Sequence, residues 1–327
     1  MDKTNNLNVK LPLIFLLSFG ILVFASFLAI TKGAVKIPLS EFFSEQYRAI
    51  IFLRFWRVFL AFIVGAGLAV SGVVLQALLR NPLAEPYLLG TSGGAGLAAV
   101  VGVGLGVSYL WLPGIAFLGA IGAVSLVYLI AQHQNRISQQ SLILSGVIIS
   151  VFLSAIIVAI ITLSPDEVMH GLSWWLWGSL RLYHPGLIVF VSAITFICIF
   201  ILYGFSHELN ALSLGEEEAL HLGVDIEKVK KALFLLTSLI TAAIVSVSGV
   251  IGFVGLLIPH ATRLIIGSNH KILIPLSVMT AASFMIICDL LARTVVAPIE
   301  IPIGVITALL GAPLFITLLK KTNKNVK

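Results

Sequence analysis

Residues 54–90 read RFWRVFLAFIVGAGLAVSGVVLQALLRNPLAEPYLLG. From Val58 to Leu79 no charged residue interrupts the run, and its length matches the roughly 20 apolar residues that carry a helix across a bilayer core. Arg80, Asn81 and Pro82 then stop the helix, because proline disfavours the helical region for the residue before it. After Glu85 the chain turns apolar again and rich in glycine. A full span followed by a break and a short apolar segment is the pattern of a helical membrane protein with interrupted helices.

The same texture extends over all 327 residues, of which 59% are hydrophobic and 10% charged. A soluble domain carries about 25% charged residues. Inside lipid the backbone must pair with itself, so only helices and closed barrels span. The apolar runs are continuous rather than alternating, which excludes a barrel. Ten segments are expected, at 11–30, 58–79, 93–107, 110–131, 142–163, 187–205, 232–251, 252–267, 272–292 and 303–319. The third and eighth are short and glycine-rich. The first follows Lys3 and Lys10 but is longer than the ~7–15 residues of a signal-peptide core, and is expected to be a retained helix. The piece 172–180, with Trp174, Trp175 and Trp177, is too short to span and reads as an interfacial anchor or a wall at the outer mouth of a pathway. The whole chain is expected to be a single permease-like domain, 1–327, with one polar loop at 206–231.

With the N-terminus inside, thirteen of the 20 Lys and Arg fall on the cytoplasmic side, which supports that orientation and, with ten spans, returns the C-terminus inside. The net charge of +6 is therefore a topology signal, with no nucleic-acid partner implied. Val70 to Gly90 and Val247 to Gly267 align without gaps and share eight residues, Pro82 with Pro259 among them. One copy begins in an inward-running helix and the other in an outward-running one, as an inverted repeat requires.

No GxxxxGK[ST] loop, HExxH or nucleophile motif occurs, so neither ATP binding of that kind nor catalysis is supported. The seven histidines show no metal-ligand spacing, and Cys198 and Cys288 lie in apolar runs. No cofactor is expected on this chain. Arg54 and Arg57 share a helix face where the second helix is expected to begin, an unfavourable end for cations by ~0.3–1 kcal/mol each. They call for lipid phosphate or an acidic partner outside. Asp289 is costly in lipid unless paired, and Arg293 lies four residues on. The loop 206–231 interleaves Glu216, Glu217, Glu218, Asp225 and Glu227 with apolar residues. It is expected to form two short helices around Gly215 and Gly223, either a solvated linker or a docking surface.

Three blocks make a resemblance specific: RFWR (54–57) with GAGLAVSG (65–72) and QALLRNPLAEPYLLG (76–90); WLWGSL (175–180); and GVIGFVGLLIPHATRL (249–264) with DLLAR (289–293) and EIPIGVITALLGAP (300–313). In this order they resemble the FecCD-type permeases of binding-protein-dependent ABC importers for ferric siderophores, haem and cobalamin. The resemblance implies an all-α, ten-helix integral membrane bundle of the cobalamin-permease type, dimeric as a homodimer or with a related permease. ATP would act on two partner ATPase subunits and a substrate-binding protein would dock outside, periplasmic or lipid-anchored. The location would be the inner (cytoplasmic) membrane. It implies that Arg54, Arg57 and Arg293 receive acidic residues of the binding protein. Asn81 and Leu83 match a cytoplasmic gate, and Gln139 and Gln140 lie where another gate sits. Leu212, Leu214, Gly215, Glu216, Glu217, Ala219, Leu220, Leu222, Gly223 and Val224 match the helices that couple to the ATPases. The cargo implied first is an iron siderophore or similar metal chelate, with haem, cobalamin or an oxyanion as alternatives. An ion-coupled transporter is the competing class, with Asp289 its one candidate ionisable group. Trp174, Trp175, Trp177 and Arg181 either anchor their segment or line an aromatic, cationic mouth. Charge reversal of Glu216, Glu217 and Glu218 is expected to lower transport-coupled ATP hydrolysis, and an unchanged rate of hydrolysis per imported ligand would remove that role.

Overall fold

The structure, a computed structural model, describes residues 2–134, 136–164, 175–180 and 184–324. Among these residues are twelve α-helices: α1 (Asp2–Thr31), α2 (Glu45–Leu78), α3 (Thr91–Gly104), α4 (Leu112–Ala131), α5 (Gln139–Thr162), α6 (Pro185–Gly204), α7 (Ser206–Leu214), α8 (Glu216–His221), α9 (Ile226–Ser248), α10 (Val254–Ile266), α11 (His270–Thr294) and α12 (Ile303–Lys324). A two-residue hairpin, β1 (Gln132–His133) with β2 (Arg136–Ile137), joins α4 to α5. Seven helices are long and apolar enough to cross a membrane, and Thr91–Gly104, Val254–Ile266 and Ile303–Leu318 are shorter apolar ones. Together they are the ten expected segments, and α3 and α10 are the short pair.

α2 is the axis of the bundle. Its most apolar window is 89% buried, against 17% for α1 and 28% for α5, so α2 meets protein where they meet lipid or another chain. α2 starts at Glu45 rather than at residue 58. Its 34 residues span about 51 Å at 1.5 Å each, more than the ~30 Å hydrocarbon core, so its first turns project beyond the apolar run that marked it. Arg54 and Arg57 are therefore two to three turns inside the helix, not at its unfavourable end.

Arg57 reaches Asp289 at 2.7 Å while Gly65 faces Ala281 and Met285, so α2 and α11 run antiparallel. The start of α9 is tied to α8 through Lys230 and Glu216, and the start of α11 to α7 through a 2.9 Å bond from the His270 amide to Asn210. Because α7 and α8 are separated only by Gly215, α9 and α11 begin on one side and α2 ends there.

The two breaks of the repeat meet inside the bundle. After α2 the chain turns through Arg80 (φ +46°) and a 3₁₀ turn, Pro86–Leu89; after α9 it passes through Gly249 to Phe253 before α10. The Ile251 amide donates to the Tyr87 hydroxyl at 3.1 Å, and Tyr87 is buried. The ungapped 21-residue match does not equate these elements: Pro82 lies in a turn, whereas Pro259 lies inside α10. What the copies share is a long helix that leads through a break into a short apolar helix.

Trp174 and Arg181 lie outside the described residues. Residues 175–180 are stitched into the bundle: the Ser179 amide bonds Ser248 O at 2.8 Å, and the amides of Ile303 and Gly304 bond Gly178 O and Trp177 O at 3.1 Å. Gly249 (φ +65°) fits there because a Cβ would stand 2.1 Å from Trp175 O. This piece is a structural seam between α9 and α12, although the Trp177 side chain is exposed.

Small residues let α2 approach its neighbours backbone to backbone. A Cβ on Gly72 would stand 1.9 Å from Gly255 O. Gly72→Ala must push α2 and α10 apart and is expected to cost about 1–3 kcal/mol, read as a lower thermal midpoint in detergent. Gly20→Ala, where a Cβ meets nothing within 4 Å, should leave the midpoint in place.

Candidate functional site

Two polar nodes stand at opposite ends of α2. Toward the N-terminal end, the Arg54 Nη1 donates to Ile30 O at 3.0 Å and Thr31 O at 2.9 Å, and Nη2 donates to Val35 O. Two of these carbonyls belong to the last turn of α1, which has no intrahelical partners for them, so a buried guanidinium caps that helix and offsets its negative end. Arg57 Nε bonds Asp289 Oδ1 at 2.7 Å and its Nη1 bonds Glu300 Oε1 at 2.9 Å. Arg293 pairs with the other Asp289 oxygen at 2.9 Å and donates to Ala29 O at 3.2 Å. The expected Asp289–Arg293 pair is present and Arg57 completes it. Asp289 is fully buried and needs both cations.

The three arginines and two carboxylates leave one net positive charge. The arginines line a recess of about 450 Å³ with Gly33, Ala34, Val35, Ile50 and Leu53. Arg54 and Arg293 are buried, and Arg57 is the most accessible of the three. The sequence singled out the arginines and Asp289. Glu300 it missed as a site residue, since its approach to Arg57 bridges 243 positions in the chain.

Beyond the C-terminal end of α2, Asn81 Oδ1 accepts from the Leu83 amide at 2.9 Å and its carbonyl accepts from Ala84 at 3.0 Å, a local turn that leaves Leu83 half exposed. Gln139 and Gln140 open α5, with Ser138 as its N-cap accepting from the Ser141 amide at 3.0 Å. No hydrogen bond among the described residues joins Asn81 or Leu83 to Gln139 or Gln140. Gln139 instead donates to Glu216 Oε1 at 3.3 Å.

The loop 206–231 divides its residues by direction. Leu212, Ala219 and Val224 are buried and hold α7 and α8 against the bundle. Leu214, Leu220 and Leu222 are each more than half exposed, and Glu217 and Glu218 are exposed beside them. Gly215 (φ +145°) and Gly223 (φ +81°) make the bends on either side of α8. A recess of about 520 Å³ lies next to Leu214 and Leu222, lined also by His207, Asn210, Ser268 and Asn269. Asp225 caps α9, and its side-chain bond to Lys228 holds the carboxyl below the usual carboxylate range. Glu216 faces inward, where Lys230 Nζ stands 2.8 Å from its carboxylate.

Nine apolar segments around one buried helix, with a cationic node near the start of that helix and a loop of exposed leucines and carboxylates near its other end, define a multi-pass membrane permease. The FecCD transport family matches residues 21–321, and this chain belongs to it. The ABC transporter permease protein YvrB of Bacillus subtilis is 36% identical over 95% of this chain and 94% of that protein. The hemin transport system permease protein HmuU of Yersinia pestis is 39% identical over 82% of this chain and 81% of that one. Other relatives are named for cobalamin import, molybdate import and iron chelatin transport. A solved structure described as an inward-facing ABC transporter of the metal-chelate type aligns with TM-score 0.86 at 35% identity, covering 95% of this chain and 99% of that one.

Asp289→Asn would remove the charge that Arg57 and Arg293 share. Breaking a buried pair costs about 3–5 kcal/mol, so this variant is expected to lower the thermal midpoint sharply. Glu300→Gln, at a partly exposed carboxylate, should lower it much less. Equal shifts would show that the node is not held by Asp289.

Proposed function

We propose that this chain is the membrane-spanning subunit of a binding-protein-dependent ABC importer, moving an iron siderophore or similar metal chelate into the cytoplasm. The observation that carries this reading is the outward-turned set of Leu214, Leu220 and Leu222 with Glu217 and Glu218 on two short helices. Exposed leucines clustered with carboxylates fit a protein-docking surface, and membership of the FecCD transport family makes its partner an ATPase subunit. Two copies, or this chain and a related permease, would enclose the pathway, with two ATPases below and a substrate-binding protein above. Both termini would face the cytoplasm.

The outer recess supports the second docking event. One net positive charge around Arg54, Arg57 and Arg293 suits an acidic side chain of the binding protein, with Arg57 the most open of the three. Its approach would compete with Glu300 for the Arg57 guanidinium. Nucleotide-driven motion of α7 and α8 would then open or close the gate formed by Leu83 beside Asn81 and by Gln139 and Gln140. Cargo identity rests on family usage: the relatives' names span hemin, cobalamin, molybdate and iron chelatin, and a siderophore is the first choice.

The test is uptake into proteoliposomes holding this permease, its ATPase subunits and its binding protein. Ferric siderophore, hemin, cobalamin and molybdate serve as parallel labelled cargos. ATP-dependent accumulation of one of them is expected, with ferric siderophore the strongest. Accumulation driven by an ion gradient without nucleotide or ATPase would overturn the importer reading. A different cargo would correct the ligand alone.

A further inference from the structure

We infer that Lys230 is the positioning residue that ties the ATPase-facing helix α8 to the first turn of α5, so that displacement of one is transmitted to the other. The inference rests on the proposed coupling role of α7 and α8. Lys230 lies in the second turn of α9 and is 4% exposed. Its Nζ stands 2.8 Å from Glu216 Oε1 on α8, 3.2 Å from Ile137 O on β2 and 3.9 Å from Glu227 Oε1. The same Glu216 oxygen accepts from Gln139 Nε2 at 3.3 Å, and Glu227 Oε2 accepts from the Ile137 amide at 3.4 Å. The strand that leads into α5 is thus gripped at its carbonyl, at its amide and at the Gln139 side chain. These groups line a recess of about 320 Å³ with Ser138 and Gln140.

Two physical points make this a transmission element rather than a surface ion pair. The closer packing of α5 is with α3, α4 and the turn Pro86–Leu89, while α8 packs on α7 and α9. The polar node is what bonds the start of α5 to α8 across those separate packings. Second, a buried ammonium that loses its partner has little water to replace it, and breaking such a pair is costly. A leucine contact would slide under a small shift of α8, whereas Lys230 and Glu216 must move together. Lys230 was outside the expected coupling set because a lysine in a charged loop reads as solvated.

The experiment uses the assembled transporter in nanodiscs, with Lys230→Met, Glu216→Gln and the double variant. A spin label at Leu144→Cys, exposed on α5, reports its movement between the two permease copies. The number of cargo molecules imported per ATP hydrolysed is expected to fall about tenfold in each single variant, within the usual range of coupling between sites. The nucleotide-dependent distance change at residue 144 should shrink with it. The double variant should fall no further than either single, because both remove one shared interaction. Should Lys230→Met fail to fold, Glu216→Gln carries the same test at a carboxylate whose side chain is 40% exposed.

An import ratio within twofold of wild type, with the distance change intact, overturns the inference. So does multiplication of the two single losses in the double variant. Loss of ATPase co-purification in the variants also overturns it, and assigns these residues to docking itself. A wild-type assembly that takes up cargo without ATP overturns the importer reading, and the relay falls with it.

Discussion

The contact between Gly72 of α2 and Gly255 of α10 sets the spacing on which the rest of the bundle depends. Neither position has room for a methyl group, and the last two turns of α2 touch the start of α10 just beyond the break that precedes it. Lipid offers broken helices no water, so each break must be satisfied by protein. Tyr87 answers the Ile251 amide, and Gln76 reaches the carbonyls of Gly255 and Leu256 at 3.4 and 3.3 Å while accepting from Arg263 at 2.8 Å. These bonds are within reach only because the helices are that close. The run of small residues from Gly65 to Gly72 is therefore the condition for placing interrupted segments, α3 and α10, at the heart of the molecule.

Charge is handled differently at the two ends of this axis. The arginine node near the start of α2 is wholly internal in its bonds: guanidinium groups cap α1 and neutralise Asp289, and the small excess of positive charge faces a recess. The lysine node at the other end sets buried Lys230 against Glu216 on α8 and Glu227 on its own helix. Removing a partner in the first loosens α1, α2 and α11 together, so its cost appears as stability. In the second, Lys230 and Glu216 join α9 to α8, and under the proposed relay the cost would fall on communication with the start of α5 rather than on the bundle.

Much of this was legible in the residues. The ten apolar runs, the pairing of Asp289 with Arg293, and the two short helices flanking Gly215 follow from length, spacing and glycine placement. The start of α2 was not legible, because residues 45–53 are helical but lie beyond the apolar run, and hydropathy marks the membrane rather than the helix. The internal repeat was legible as a long helix, a break and a short apolar helix in each copy, but the residue-by-residue register was not, as Pro82 in a turn and Pro259 inside α10 show. For 172–180 the sequence offered an interfacial anchor or a pathway wall, and the backbone bonds of 177–179 to α9 and α12 were not legible, since tryptophan content carries no sign of them. Glu300 escaped notice because its partner lies 243 positions away, and no local pattern encodes such a pair. Lys230 escaped because a lysine among carboxylates reads as solvated, and its bond to Ile137 bridges 93 positions.

The distribution of burial also constrains where motion can occur in the proposed cycle. α2 is enclosed nearly all round, so moving it alone would open voids against α9, α10 and α11 at once. Close-packed interiors resist that. α5 is mostly uncovered within a single chain, with Leu144, Ile148, Val151 and Phe152 exposed along it. It can tilt at the expense of far fewer contacts, and its first turn carries Gln139. In the proposed cycle, a tilt of α5 would change the mouth of the pathway while leaving the close packing around α2 undisturbed. In the proposed relay, the bonds that hold that first turn to α8, Gln139 to Glu216 and Glu216 to the buried Lys230, would act on one of the least enclosed helices of the bundle.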